Sequence, residues 1–322
     1  GLINLSNKKI KITVMKTTKK IFTIALVLAG LVVMPAFAQE LKQLKELVEI
    51  QKLKELKELK EPRHNHDNDD DDDDQDERTL PPIQYKVPVN GSQIKKIIIK
   101  DLVSEIKIVG SQNMDIIIDA KGIEGTPKRA KGLKPLYGNG CMDNTGAGVA
   151  ANESDGVLTI CGASKGSEDA SYIFTIPKGV SVSIDYNSPF ANESIEVKDM
   201  EGEVEVSTLM GDVKCLNVTG PLVLNSISGD IEINISKLNQ NSPTSISLIS
   251  GDLDITLPIG SPANLEMSAI TGGIYTDLEI KAESKDGNLS QVGGNSIKTK
   301  LNGGGVELNL SCTSGNIYLR KK

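Results

Sequence analysis

Residues 228–257 read SGDIEINISKLNQNSPTSISLISGDLDITL. Ser228-Gly-Asp-Ile231 opens the stretch, and Ser250-Gly-Asp-Leu253 returns 22 residues later. Thr271-Gly-Gly-Ile274 and Ser314-Gly-Asn-Ile317 repeat the pattern: a small hydroxyl residue, glycine, then Asp, Asn or Gly, then an aliphatic. Glycine supplies the positive φ that a tight corner needs, and Asp or Asn bonds the backbone just beyond it. After each corner the chain alternates, as in Ile231-Glu-Ile233-Asn-Ile235 and Leu253-Asp-Ile255-Thr-Leu257. Such alternation places aliphatics on one face of a strand and acids or amides on the other.

The spacing extends the argument. Gly229 to Gly251 is 22 residues and Gly251 to Gly272 is 21. Gly272 to Gly315 is 43, two periods with Gly293 near the midpoint. Gly202, Gly211, Gly220 and Gly229 are nine apart, which predicts half-coils of that length. A fixed period near 20 is the mark of stacked repeats. From Ile83 onward the chain is a series of short Ile/Val/Ser/Thr runs, among them 96–100, 105–109, 115–119, 157–160 and 181–185. No helical period interrupts them. The expected fold is all-β: a right-handed β-solenoid or β-helix-like domain over 83–322.

On these residues the chain resembles the bacterial cell-envelope family known as "putative adhesin", uncharacterised domains of repeated short β-strands. The resemblance is carried by Tyr172-Ile-Phe-Thr-Ile-Pro177, Gly211-Asp-Val213, the two Ser-Gly-Asp corners with Leu257-Pro258, and the closing Ser314-Gly-Asn-Ile317. Leu102 to Ala120 is similar to the family's first strand pair, so the resemblance spans about 92–322. It implies an exported β-repeat domain and brings no catalytic residues with it.

The remainder of the chain reads differently. Residues 15–38 have a Lys16, Lys19, Lys20 head, an apolar Ile21–Val33 run and the small-x-small site Ala36-Phe37-Ala38, the layout of a cleaved signal peptide. The apolar run falls short of the roughly 20 residues that a membrane span needs. Residues 1–14 are expected to be upstream sequence. Residues 39–61 place Leu41, Leu44, Leu47, Ile50, Leu53, Leu56 and Leu59 at a strict period of three, which spirals around a helix rather than forming a seam. This predicts a helix-prone spacer. Residues 62–82 hold His64, His66 and the Asp69–Asp74 run, a block of like charge expected to be a disordered acidic linker with no defined metal cage.

Charge and composition limit the function. The chain carries 36 basic and 43 acidic residues, net −7. Six of the lysines lie in residues 1–38, so the mature chain is near −13, against a nucleic-acid partner. His64 and His66 are the only histidines, and Trp is absent. Gly162-Ala-Ser164-Lys-Gly166 matches a nucleophile elbow, but there is no histidine in the β-domain to serve as base. Ser92-Gln-Ile-Lys95 matches S-x-x-K without its companion strings. Asp212, Asp230 and Asp252 occupy like places in successive repeats; they are expected to be turn residues facing water, with a bridged cation as the alternative. Cys141 and Cys161 could staple a loop, while Cys215 and Cys312 share parity with core positions and are expected to be free.

These readings predict no catalytic, cofactor or metal residue. They predict a non-enzymatic exported protein, in the periplasm, on the outer-membrane surface or secreted. A tether at 39–82 would carry a solenoid whose faces bind a protein or polysaccharide. The alternatives are a carbohydrate-active enzyme on a β-helix and a periplasmic sensing or assembly partner docking through the acidic tether.

Overall fold

A computed structural model of the chain describes residues 79–88, 94–130, 132–133, 137–191, 193–280 and 295–322. The expected signal peptide and spacer, and nearly all of the acidic linker, therefore lie outside the described residues. Among the described residues no helix is long and apolar enough to cross a membrane.

The body, within the compact unit 70–322, is all-β. In chain order its strands are β1 (Ile83–Lys86), β2 (Lys96–Lys100), β3 (Glu105–Ser111), β4 (Ile117–Lys121), β5 (Val149–Ser154), β6 (Val157–Gly162) and β7 (Ser171–Pro177). There follow β8 (Ser181–Tyr186), β9 (Ile195–Lys198), β10 (Val204–Thr208), β11 (Val213–Val218), β12 (Leu222–Ser228), β13 (Ile231–Ile235) and β14 (Thr244–Ser250). The last are β15 (Leu253–Leu257), β16 (Ala263–Ala269), β17 (Ile274–Thr276), β18 (Asn295–Leu301), β19 (Val306–Ser314) and β20 (Ile317–Lys321).

They form two ten-stranded sheets with open edges. Sheet I runs β1-β4-β7-β3-β9-β11-β13-β15-β20-β17, and sheet II runs β18-β16-β19-β14-β12-β10-β8-β2-β6-β5. From β8 to β15 the chain changes sheet at every corner, so one coil is one strand of each sheet. Consecutive coils pair in parallel without a helical crossover, because the strand in the opposite sheet makes the return.

The nine-residue glycine spacing is the half-coil. A β-carbon at Gly220 would run into the carbonyl of Gly202, and one at Gly229 into the carbonyl of Gly211. Two columns of glycine, one at each corner, therefore let successive coils approach backbone to backbone.

Register aligns the inward residues into ladders. In sheet I, Ile106, Ile195, Val213, Ile231, Leu253 and Ile317 face one another across successive strands. In sheet II the matching row is Ile184, Val206, Leu224, Ile246, Leu310 and Met267. All are buried and belong to one continuous core between the sheets. Near the start of the body the core takes large rings. Tyr172 and Phe174 stack at 5.8 Å, and Tyr186 is buried with its hydroxyl donating to the carbonyls of Val103 and Ser104.

A plain solenoid stacks in chain order, and here the structure corrects the sequence. The β19/β20 coil lies between the β14/β15 coil and the β16/β17 coil. Gly272 therefore sits against Gly315, not two periods away, and Gly293 is outside the described residues. The start of the body is threaded alike: the β2/β3 coil lies between the β6/β7 and β8/β9 coils. As a result β3 and β4, expected to pair, are separated by β7. Antiparallel strands finish three of the four sheet ends: β1 with β4, β5 with β6, and β18 with β16. Such short or reversed edge strands discourage further edge-to-edge pairing.

Candidate functional site

The corner motif does turn into a column, with a different chemistry from either expectation. Asp212 Oδ1 accepts the backbone N–H of Asp230, and Asp230 Oδ1 accepts that of Asp252, each at 2.8 Å. Asp252 Oδ1 accepts the N–H of Asn316 at 2.8 Å, and Asn316 Oδ1 accepts that of Gly273 at 3.0 Å. Asp212 and Asp230 are exposed as expected, but each has one oxygen committed to the next coil. The ladder ends at Gly273, where a β-carbon would strike the ring of Tyr275.

The other sequence candidates are structural. Ser164 does not sit on a strand–turn–helix elbow: it caps a three-residue 3-10 turn, Lys165–Ser167, with its hydroxyl accepting the Gly166 N–H. Ser92, His64 and His66 lie outside the described residues. Cys141 and Cys161 form a disulfide with Cα atoms 6.4 Å apart. Asp101 Oδ2 lies 3.5 Å from Cys161 Sγ, close enough for the three groups to share a cation were the sulfurs not bonded to each other. Cys215 and Cys312 are buried and free, as their parity required; burial pushes the Cys215 thiol up to about 12.

The surfaces available to a partner are the outward faces of the sheets. Sheet I presents charge. Lys107, Glu196, Lys214, Glu232 and Asp254 share one row, and ion pairs link Lys107 to Glu196 at 2.9 Å and Lys214 to Glu232 at 2.7 Å. The row continues into Tyr318 and Tyr275, stacked at 5.4 Å. Arg320 packs over Tyr318 while its Nε donates to both carboxylate oxygens of Asp254. Exposed pairs of this kind contribute about 0–1 kcal/mol each, so they pattern the face more than they hold it.

Sheet II presents hydroxyls. Ser207, Asn225, Ser247, Ser311, Ser268 and Ser296 are cross-strand neighbours in a single outward row over six strands. Beside it runs an apolar row. Ile227 is level with Ile249, because Ser226 pairs with Leu248 and Ser228 with Ser250. Ile249 is level with Thr313 by the same count, and Ile270 follows, its N–H donating to Cys312 O. Ile249 and Ile270 are each 46% exposed. The row is not readable from the sequence, because Ser311 enters between Ser247 and Ser268 only through the out-of-order coil.

Residues 193–320 match the family model described as Toastrack DUF4097. Over those residues the chain is similar to the Toastrack family. The Toastrack match begins just before β9 and covers β9 to β20, narrower than the span of about 92–322 expected from the strand motifs. The strands before it extend the same two sheets. Two solved structures are similar at low identity. One, described as a "putative cell adhesion protein", is from Clostridium sporogenes ATCC 15579, with 15% identity, TM-score 0.36, and 75% of this chain and 100% of that one covered. The other, a "putative adhesin", is from Bacteroides fragilis NCTC 9343, with 14% identity, TM-score 0.36, and 75% and 97% covered. No curated protein matches the chain.

Proposed function

We propose that this chain is an exported, non-enzymatic envelope protein whose two-sheet body binds another macromolecule through its lateral faces. Residues 15–38 direct export and are removed, residues 39–82 tether the body, and the coils wind right-handed. The observation that supports the reading is the registered outer face of sheet II, where six strands present one small polar side chain each in a straight row. Such a ladder offers many weak contacts of the same kind, suited to an extended partner and not to one small molecule. Of the body's two candidate nucleophiles, Ser164 caps a turn, and each aspartate of the column has one oxygen bonded to the next coil.

Protease accessibility on intact cells, beside lysed cells and a periplasmic control, tests the placement. Digestion on intact cells puts the body outside and supports adhesion. Protection until lysis sinks the adhesin reading and directs attention to periplasmic partners of residues 39–82.

A further inference from the structure

We infer that the uncharged strip on sheet II is a binding site for a neutral, linear polysaccharide. The inference rests on the reading of the body as a macromolecule-binding module, and it names the partner's chemistry.

The first argument is charge. The chain is acidic, and the outward row of sheet I alternates lysine with carboxylate. The two sheet II rows, Ser207 to Ser296 and Ile227 to Ile270, contain no ionisable side chain. Asp185 continues the Ser207 row, and Glu266 and Lys298 flank the strip, but the latter two are paired with each other. A charged partner laid there would therefore give up hydration with no unpaired cation, and no charge within the strip, to receive it. A neutral one loses nothing of the kind.

The second argument is size. Six strands at about 4.8 Å span about 24 Å, and two outward positions along a strand are about 7 Å apart. The strip therefore covers about 170 Å², far below the roughly 800 Å² per partner of a stable protein–protein interface. It is too narrow for a second copy or a folded partner, but one polymer chain lying across the strands would fill it.

The third argument is chemistry. Each strand offers a hydroxyl or amide in one row and, in four of the six strands, an aliphatic or threonine methyl beside it. A sugar ring has the same two aspects: hydroxyls at its edge and C–H groups on its faces. Serine and asparagine side chains are short, so ordering them on binding costs little rotamer entropy compared with Lys or Glu. The repeat along the strip is that of the sheet, so a periodic ligand meets the same pair of groups at each strand.

Depletion of the purified chain on microcrystalline cellulose, chitin and an insoluble β-1,3-glucan tests this, with isolated envelope fragments in parallel. Retention on at least one of the three polymers, unchanged in 0.5 M salt, is expected. The double variant Ser247→Lys, Ser311→Lys should weaken it at least tenfold, while Lys214→Ser on sheet I leaves it intact. Circular dichroism checks folding, and Ser268→Lys serves alone if the double variant does not fold. Retention on none of the polymers, loss in salt, or retention that survives lysine in the strip overturns the inference. Envelope binding that survives those lysines sinks the strip but leaves the broader reading; no envelope binding by the wild-type chain sinks that reading itself.

Discussion

Asp230 Oδ1 accepts the backbone N–H of Asp252 at 2.8 Å, across 22 residues of sequence and one coil of structure. Asp230 also donates its own N–H to Asp212, so each corner is tied to the coils on either side through one residue. Replacing Asp230 with alanine leaves the Asp252 N–H without its acceptor. The corner is exposed, and water can partly take over. A loss of about 1–2 kcal/mol is expected for Asp230→Ala, with Asp230→Asn keeping more than half because its amide oxygen can still accept. Urea midpoints of the two variants check this; equal losses would mean that the ladder bond contributes nothing.

Gly251 has φ +131°, and a β-carbon there would enter the carbonyl of Gly229 in the neighbouring coil. Backbone strain and the clash act together, and neither can relax without separating the coils. Gly251→Ala is expected to cost about 3 kcal/mol or more, which for a domain of this size lowers the melting temperature by roughly 6–12 °C. Gly260, where nothing lies within 4 Å of a β-carbon, serves as the control and should tolerate alanine with little change. Calorimetry of the two variants decides the point.

The same residues explain what the sequence could convey. Alternation in Ile231–Ile235 and Leu253–Leu257 is local physics, and it gave strand, burial face and corner without error. Parity placed Cys215 and Cys312 in the core for the same reason. Stacking order is not local. Nothing near Ile317 announces that its strand lies between those of Leu253 and Ile274, because every corner carries nearly the same motif. The sheet II serine row depends on that order and was invisible for that reason. The Asp column was half legible: like positions implied a column, but the bond from side chain to the next coil's N–H needs the coils' separation, which sequence does not hold.

Cys141–Cys161 closes a loop of 20 residues onto β6. Chain entropy alone would assign such a closure about 3 kcal/mol. Part of the loop is held without it: Asn139 Nδ2 donates to Gly162 O at 2.7 Å, and the Asp143 carboxylate accepts N–H groups from Thr145, Gly146 and Gly148. Reduction or Cys141→Ser is therefore expected to cost about 2–3 kcal/mol, with new proteolytic cuts confined to residues 137–148. Cuts spread through the sheets would show that the disulfide holds the body and not the loop.

The free thiols should be inert while the chain is folded. Burial pushes Cys215 up to about 12 and raises Cys312 as well. Alkylation needs the thiolate, and at pH 8 a thiol of that value is ionised only about one part in ten thousand. Intact-mass measurement after iodoacetamide at pH 8 should show no added group on the folded, oxidised chain and two after denaturation. Labelling of Cys215 in the native state would mean that the β9/β11/β13 region opens on the timescale of the reaction.

Glu205 lies on the sheet II face, and its carboxyl is held below its ordinary 4.5 first by the Ser183 hydroxyl and then by Lys96. A carboxylate with a depressed folded-state value contributes stability above its unfolded value and loses it as the pH falls through the folded one. Glu205 and Lys96 are both well exposed, so solvent screening limits the gain to less than about 1 kcal/mol. Glu205→Gln is thus expected to lower the urea midpoint slightly at pH 7. At an acidic pH below the folded-state value the wild-type carboxyl is protonated and the two proteins should converge. A gap of equal size at both pH values would assign the effect to packing against Ser183 and not to charge.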